Sequence, residues 1–294
     1  MRKIKLKAMA KINLGLDVVR KREDGYHEVR MIMQTIRMYD QLQLLMMDTP
    51  GIRVKTNLYY LPENEDNLVY KAAKLLMDEF HIQKGIHIDL HKFIPVAAGM
   101  AGGSSDAAAV LVGVNRMFRL GLSQEELMKR GVQIGADIPY CIMRGTALAE
   151  GIGEKLTRLS PVPHCHVLIA KPGIHVSTKF VYTNLKANEL KVHPDIDGQI
   201  AAIENRDLKQ IAALMGNVLE TVTIPAYPVI QDIKDRMLEC GALNAMMSGS
   251  GPTVFGLFDR EEKAKQAAEC LKQSELAKQV YLTGMFHGGN MDER

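Results

Sequence analysis

The chain has no C-x-x-C pair, no long apolar run, no excess of one charge and neither of the common phosphate loops. Each absence removes a class of function. The four cysteines, Cys141, Cys165, Cys240 and Cys270, are far apart in sequence, which argues against a zinc knuckle or a dithiol redox centre. Each sits among apolar residues, so the expectation is four small core side chains in a reduced, cytoplasmic protein. Ser104, Ser105 and Asp106 interrupt the longest apolar candidate, which leaves no run of membrane-spanning length. The basic N-terminus lacks the apolar core of a signal peptide. Lys and Arg number 37 against 34 Asp and Glu, a net charge of +3 with no basic block, so no nucleic-acid partner is expected. No G-x-x-x-x-G-K-[ST] is present, and no G-x-G-x-x-G precedes a helix.

What is present is ordinary globular material, 294 residues with 47% hydrophobic and 24% charged side chains, enough for one large domain or two ordinary ones. The stretch that stands out is Pro95, Val96, Ala97, Ala98, Gly99, Met100, Ala101, Gly102, Gly103, Ser104, Ser105 and Asp106, followed by an alanine-rich helical segment to about Phe118. Small residues let the backbone approach a ligand, and converging N–H groups can hold an anion. A helix start adds free N–H groups and the positive end of its dipole. Ser104 or Ser105 fits the N-cap. The other reading is a turn-forming loop ahead of a buried alanine-rich helix.

Along the chain, residues 3 to 19 alternate, with Ile4, Leu6, Ala8, Ala10, Ile12, Leu14, Leu16 and Val18 on one expected face. Lys11 and Asn13 then fall on the other face, either solvated or lining a cleft. Asp24-Gly25 marks a hairpin turn next to Tyr26 and His27, a ring pair that could stack on a flat heterocycle or simply pack. Strands are expected at 29–35, 39–45 and 52–56, and a helix at 67–80 with Asp66 as N-cap. A strand at 86–91 puts His87 and His91 about 14 Å apart, too far for one metal ion. Ser123 and Glu126 match a capping box that opens a helix reaching Ile134, with Gly135 as C-cap. Asp137, before Pro139 and an apolar run, is oddly placed for a surface charge; it either caps a neighbour or serves a site as acid or base. Thr157 to His164, with Pro161 and Pro163, reads as a linker. Strands then follow at 165–170, 241–247, 253–258 and 279–286, and helices at 177–185, 206–219, 228–239 and 261–273. Ser248 to Thr253 is a second small-residue loop, and Gly288 to Arg294 a frayed tail.

Ala10-Lys11-Ile12-Asn13-Leu14, the Pro95–Ser105 loop and Ser248–Thr253 together resemble the GHMP kinase superfamily, whose members phosphorylate small alcohols. The middle motif is similar to its P-x-x-x-G-x-G-S-S signature, with Ala101 where many members carry Gly. Asp24 to Glu28, Asn67-Leu68 and Gly135 to Pro139 narrow the likeness to the branch acting on a cytidine-diphosphate-linked methylerythritol in the non-mevalonate route to isoprenoids. The resemblance implies an α+β, two-domain GHMP-kinase-like fold, domains 1–158 and 159–294, with the active-site cleft between them. It also implies ATP as donor, an accompanying Mg2+ with no assignable protein ligands, and small-molecule substrates as partners, without nucleic acid or membrane and leaving the oligomeric state open. Lys11 and Asp137 become the catalytic pair, Pro95 through Ser105 the wrapping of the ATP phosphates, and Asn13, Tyr26 and His27 the acceptor contacts. Competing expectations are a mevalonate or homoserine kinase, which needs no ring pair at the hairpin, and a nucleotide and sugar sensor without turnover, which needs neither Lys11 nor Asp137.

Overall fold

The computed structural model describes residues 2–288, so the expected tail lies, beyond Gly288, outside the described residues. Among these residues the order begins with β1 (Lys3–Lys21), β2 (His27–Met47), β3 (Ile52–Thr56), α1 (Leu68–Glu79), β4 (Gly85–His91), α2 (Gly102–Phe118), α3 (Gln124–Gly131), α4 (Ile138–Met143), β5 (Thr146–Gly151) and β6 (Lys155–Arg158). It continues with β7 (His166–Lys171), α5 (Thr178–Asn184), a 3-10 turn (Ala187–Glu189), α6 (Ile196–Glu204), α7 (Leu208–Ala213), β8 (Gly216–Asn217), α8 (Glu220–Ala226), α9 (Val229–Glu239), β9 (Asn244–Met247), β10 (Val254–Phe258), α10 (Glu261–Gln273) and β11 (Gln279–Gly284). One sheet runs β3-β4-β2-β1-β8, with β5 paired to β2 and β6 to β5; a second runs β11-β7-β10-β9. This is the expected α+β architecture.

The long hairpin β1–β2 carries the site, and its irregularities decide where side chains point. Register shifts fall between Met9 and Lys11, between Asn13 and Gly15, and between Val18 and Arg20. Each bulge changes which face successive side chains occupy. Ile4, Leu6, Ala8, Leu16 and Val18 pack with α1 and α2, whereas Ala10, Ile12 and Leu14 pack in a different cluster with Ile169 and Phe255 of the second sheet. The expected single apolar face is therefore split. Lys11 and Asn13 take the helix-side face over this stretch, where Asn13 pairs with Met33. Both are buried, so the solvated reading of that face does not hold.

Local sequence explains most of the helix starts. The Ser123–Glu126 capping box forms in both directions, with Glu126 N–H donating to Ser123 Oγ (3.2 Å) and Ser123 N–H to Glu126 Oε2 (2.8 Å). Its helix stops at Gly131, short of Ile134. Asn67, not Asp66, caps α1 by accepting from Val69 N–H at 3.1 Å. Neither Ser104 nor Ser105 caps α2: the helix begins at Gly102, behind a left-handed Ala101 with φ of 54°. Helices α6 and α8 occupy segments where none was expected. Cys141 and Cys165 are buried, as expected, whereas Cys240 and Cys270 are only half-buried. Burial pushes the Cys165 thiol up to about 12.

The N- and C-terminal halves of the chain are tied together at several points. β8 adds to β1 in parallel, Ile36 bridges Met285, and Gln34 Nε2 donates to Phe286 O at 2.9 Å. Among the described residues no helix is long and apolar enough to cross a membrane.

Candidate active site

A cavity of about 670 Å³ opens where these elements meet, and Lys11, Asn13, Tyr26, His27, Gly99, Ser104 and Asp137 all line it. Seven positions singled out in sequence thus converge from four separate segments. Lys11 Nζ donates to Asn13 Oδ1 at 2.7 Å, and Asn13 Nδ2 to the Met31 sulfur at 3.3 Å. The ammonium therefore rests on Asn13 rather than on Asp137. Asp137 precedes α4, but its side chain makes no capping bond to that helix, and the residue lines the cavity. Tyr26 stands on the rim, 59% exposed, with its N–H donating to Asp24 Oδ1 at 3.1 Å. The His27 ring lies 5.1 Å from that of Tyr182 at a 45° tilt. Burial, with nearby Lys21, lowers the His27 pKa and favours the neutral imidazole.

The glycine loop is held on both sides. Ala97, Gly99 and Ala101 have φ of 51°, 71° and 54°, so left-handed residues alternate with ordinary ones along it. Such alternation turns neighbouring N–H groups toward one side and makes an anion-binding concavity. Backbone groups of β1 at the Met9–Lys11 register shift bond to the loop: Lys11 N–H donates to Met100 O at 3.2 Å, and Ser105 Oγ to Met9 O at 2.7 Å. On the other side Ser248 Oγ donates to Gly99 O at 3.0 Å. A Cβ on Gly99 would meet Ser248 O at 2.1 Å, so only glycine fits there. Ser248–Thr253 is thus a clamp on the first loop, while Gly249 and Ser250 also line the cavity. Pro95, Ala98, Met100 and Ser105 are buried beneath the loop as anchors; Val96, Ala97, Ala101, Gly102 and Gly103 are partly or fully exposed without lining the cavity.

Two family descriptions match the chain: GHMP kinases N terminal domain over residues 67–145, and GHMP kinases C terminal over residues 199–278. A curated relative from Lachnospira eligens, named 4-diphosphocytidyl-2-C-methyl-D-erythritol kinase, is 59% identical over 286 residues, 97% of this chain and 99% of that one. The chain belongs to the GHMP kinase family. A crystal structure of 4-(cytidine 5'-diphospho)-2C-methyl-D-erythritol kinase matches this GHMP kinase with a TM-score of 0.84 at 29% identity, covering 97% of this chain and 100% of that one. A homoserine kinase structure from Cytophaga hutchinsonii matches at 0.78 with 21% identity, covering 99% and 96%, and speaks for the fold alone.

The α5 side of the cavity in this GHMP kinase was not anticipated. Thr178, Lys179, Tyr182 and Thr183 of α5 line the cavity, and Thr178 Oγ1 lies 2.9 Å from Ser250 Oγ. Burial, and secondarily the Asp137 charge, raise the pKa of the Tyr182 hydroxyl. The only sequence signal for α5 was its helical pattern, which says nothing of what its side chains face.

Proposed function

We propose that this kinase transfers the γ-phosphoryl group of ATP to the 2-hydroxyl of 4-diphosphocytidyl-2-C-methyl-D-erythritol, giving the 2-phosphate and ADP. The reaction belongs to the methylerythritol phosphate route to isopentenyl diphosphate and runs in the cytoplasm. The supporting observation is one cavity that collects the exposed Tyr26–His27 hairpin, the Lys11–Asp137 pair and the edge of the glycine loop. The name of the 59% identical relative points the same way. The site is read as lying between domains 1–158 and 159–294.

Phosphoryl transfer has a loose transition state, so positioning and charge stabilisation supply most of its catalysis. In this reading the amides of Pro95–Ser105 cradle the phosphates. Asp137 accepts the proton of the attacking 2-hydroxyl. Lys11 leaves Asn13 to orient Asp137 and to offset charge at the attacking oxygen. Asn13 sits beside the acceptor, and Tyr26 and His27 meet its cytosine ring. A magnesium ion is expected with the nucleotide. Among the described residues no group of three or more His, Cys, Asp or Glu could hold it, so it would rest chiefly on phosphate oxygens, whose charge it would neutralise.

The test is ADP release by purified protein supplied with MgATP and, in turn, 4-diphosphocytidyl-methylerythritol, mevalonate and homoserine. Release with the cytidine compound alone supports the assignment. Release with another alcohol alone overturns the acceptor while keeping the fold; no release with any, despite ATP binding, overturns the kinase reading.

A further inference from the structure

Beneath the glycine loop lies a buried ionic cluster that no motif announced. Lys92, just past the end of β4, sends Nζ to Asp106 Oδ2 at 2.6 Å and to Asp40 Oδ2. Asp40 Oδ1 accepts the N–H groups of Phe93 (2.5 Å) and Ile94 (2.8 Å). All three side chains are buried. The cluster brackets the loop: Asp40 fixes the backbone entering it, and Asp106 belongs to the first turns of α2 leaving it. A Cβ on Gly102 would come within 3.2 Å of Lys92 Nζ, so the ammonium lies directly against the loop's end.

The charges do not balance if both acids are ionised. One ammonium and two carboxylates leave one negative charge, buried under a loop that has to receive polyphosphate. An uncompensated buried charge is costly, and its field would oppose the nucleotide. The two acids differ in their surroundings. Asp40 has two backbone donors and the ammonium, a full set for a carboxylate. Asp106 has the ammonium on Oδ2 and no partner on buried Oδ1. Burial raises the Asp106 carboxyl well above the ordinary range, with the Asp40 charge adding to it against the opposing pull of Lys92. Burial opposes the Lys92 charge, but the two acids outweigh it and keep the amine protonated.

We propose that Lys92, Asp40 and Asp106 position the glycine loop for nucleotide phosphates, and that they do so as an electrically neutral unit in which Asp106 carries a proton. The positioning half rests on reading the loop as the phosphate site; the charge state does not. Lys92 is thus a positioning residue, acting through the backbone it holds. Asn at 106 keeps the shape and the donor of a neutral acid and so should substitute for it, whereas Ala removes the link between Lys92 and α2.

The experiment combines steady-state kinetics with infrared difference spectroscopy of the nucleotide-free protein at neutral pH. Wild type is expected to show a carboxylic-acid carbonyl band that Asp106→Asn abolishes. Lys92→Met and Asp106→Ala are expected to raise KM for ATP at least about tenfold, the scale of one lost charge-assisted hydrogen bond, and to leave the acceptor KM nearly unchanged. Asp106→Asn is expected to bring the ATP KM back to within about threefold of wild type. Absence of the band, or an Asp106→Asn defect as large as that of Asp106→Ala, overturns the neutral unit; these arms decide even if Lys92→Met does not fold. Ala101→Val, which strains the loop itself, separates the two readings. An ATP KM raised in Ala101→Val but not in Lys92→Met overturns the positioning role alone, and one raised in neither overturns the loop as phosphate site.

Discussion

The Ser105 hydroxyl donates to the Met9 carbonyl at 2.7 Å, joining the helix behind the glycine loop to the bulge that presents Lys11. Two residues on, Lys11 N–H reaches Met100 O, so loop and strand share two bonds across the same gap. The Met9–Lys11 segment of β1 thus holds the glycine loop beside the proposed catalytic lysine.

Ser105→Ala is expected to destabilise the protein by about 1–3 kcal/mol, because it leaves a buried carbonyl without its donor. Urea unfolding measures this. Ser104→Ala, at a half-exposed neighbour, should cost much less. Equal effects would remove the special standing of the Ser105–Met9 bond.

Gly99→Ala is expected to be more damaging than any other alanine placed in the loop. Its φ of 71° disfavours a side chain, and the new methyl would strike Ser248 O, a backbone atom that cannot swing away. The loss combines strain of about 1–2 kcal/mol with separation of the two loops. Thermal melting and the KM for ATP together report it: a lower Tm with a raised KM is expected, and an unchanged pair contradicts the clamp.

Tyr26→Ala is expected to raise KM for the cytidine acceptor far more than KM for ATP, since the exposed ring stands on the rim beside His27. Its exposure also means that Tm should move little. Steady-state titration of each substrate separates the effects; equal or absent changes return Tyr26 to a packing role.

Much of this site was legible in sequence, and the parts that were not share a cause. Asp24-Gly25, Ser123–Glu126 and the glycine loop are local signals, and each formed where local chemistry placed it. For Lys11 and Asn13 the sequence left a solvated face and a cleft wall both open, and the structure buries them at the cavity. Both faces of β1 are buried, so nothing in the residue types of 8 to 16 marks where a bulge exchanges them. Ser105 was read as a cap because its spacing to the helix is visible, whereas its actual partner, Met9, is a backbone atom of a distant strand. Lys92 meets Asp40 and Asp106 across separations of 52 and 14 residues, beyond any local pattern. Tyr182 and its neighbours on α5 reach the cavity only through the packing of the C-terminal half. Asp66 lost the cap of α1 to Asn67 by one position, the ordinary limit of reading a helix start from composition.

The account turns on Asp137 as the base that faces the acceptor hydroxyl, and the most direct measurement is kcat for Asp137→Asn with ATP and the cytidine acceptor both saturating. The substitution keeps the size of a side chain that makes no capping bond, so Tm should stay near wild type. A fall in kcat of at least about 100-fold is expected, the lower end of what a positioned general base supplies. A folded variant turning over near the wild-type rate would contradict the assignment.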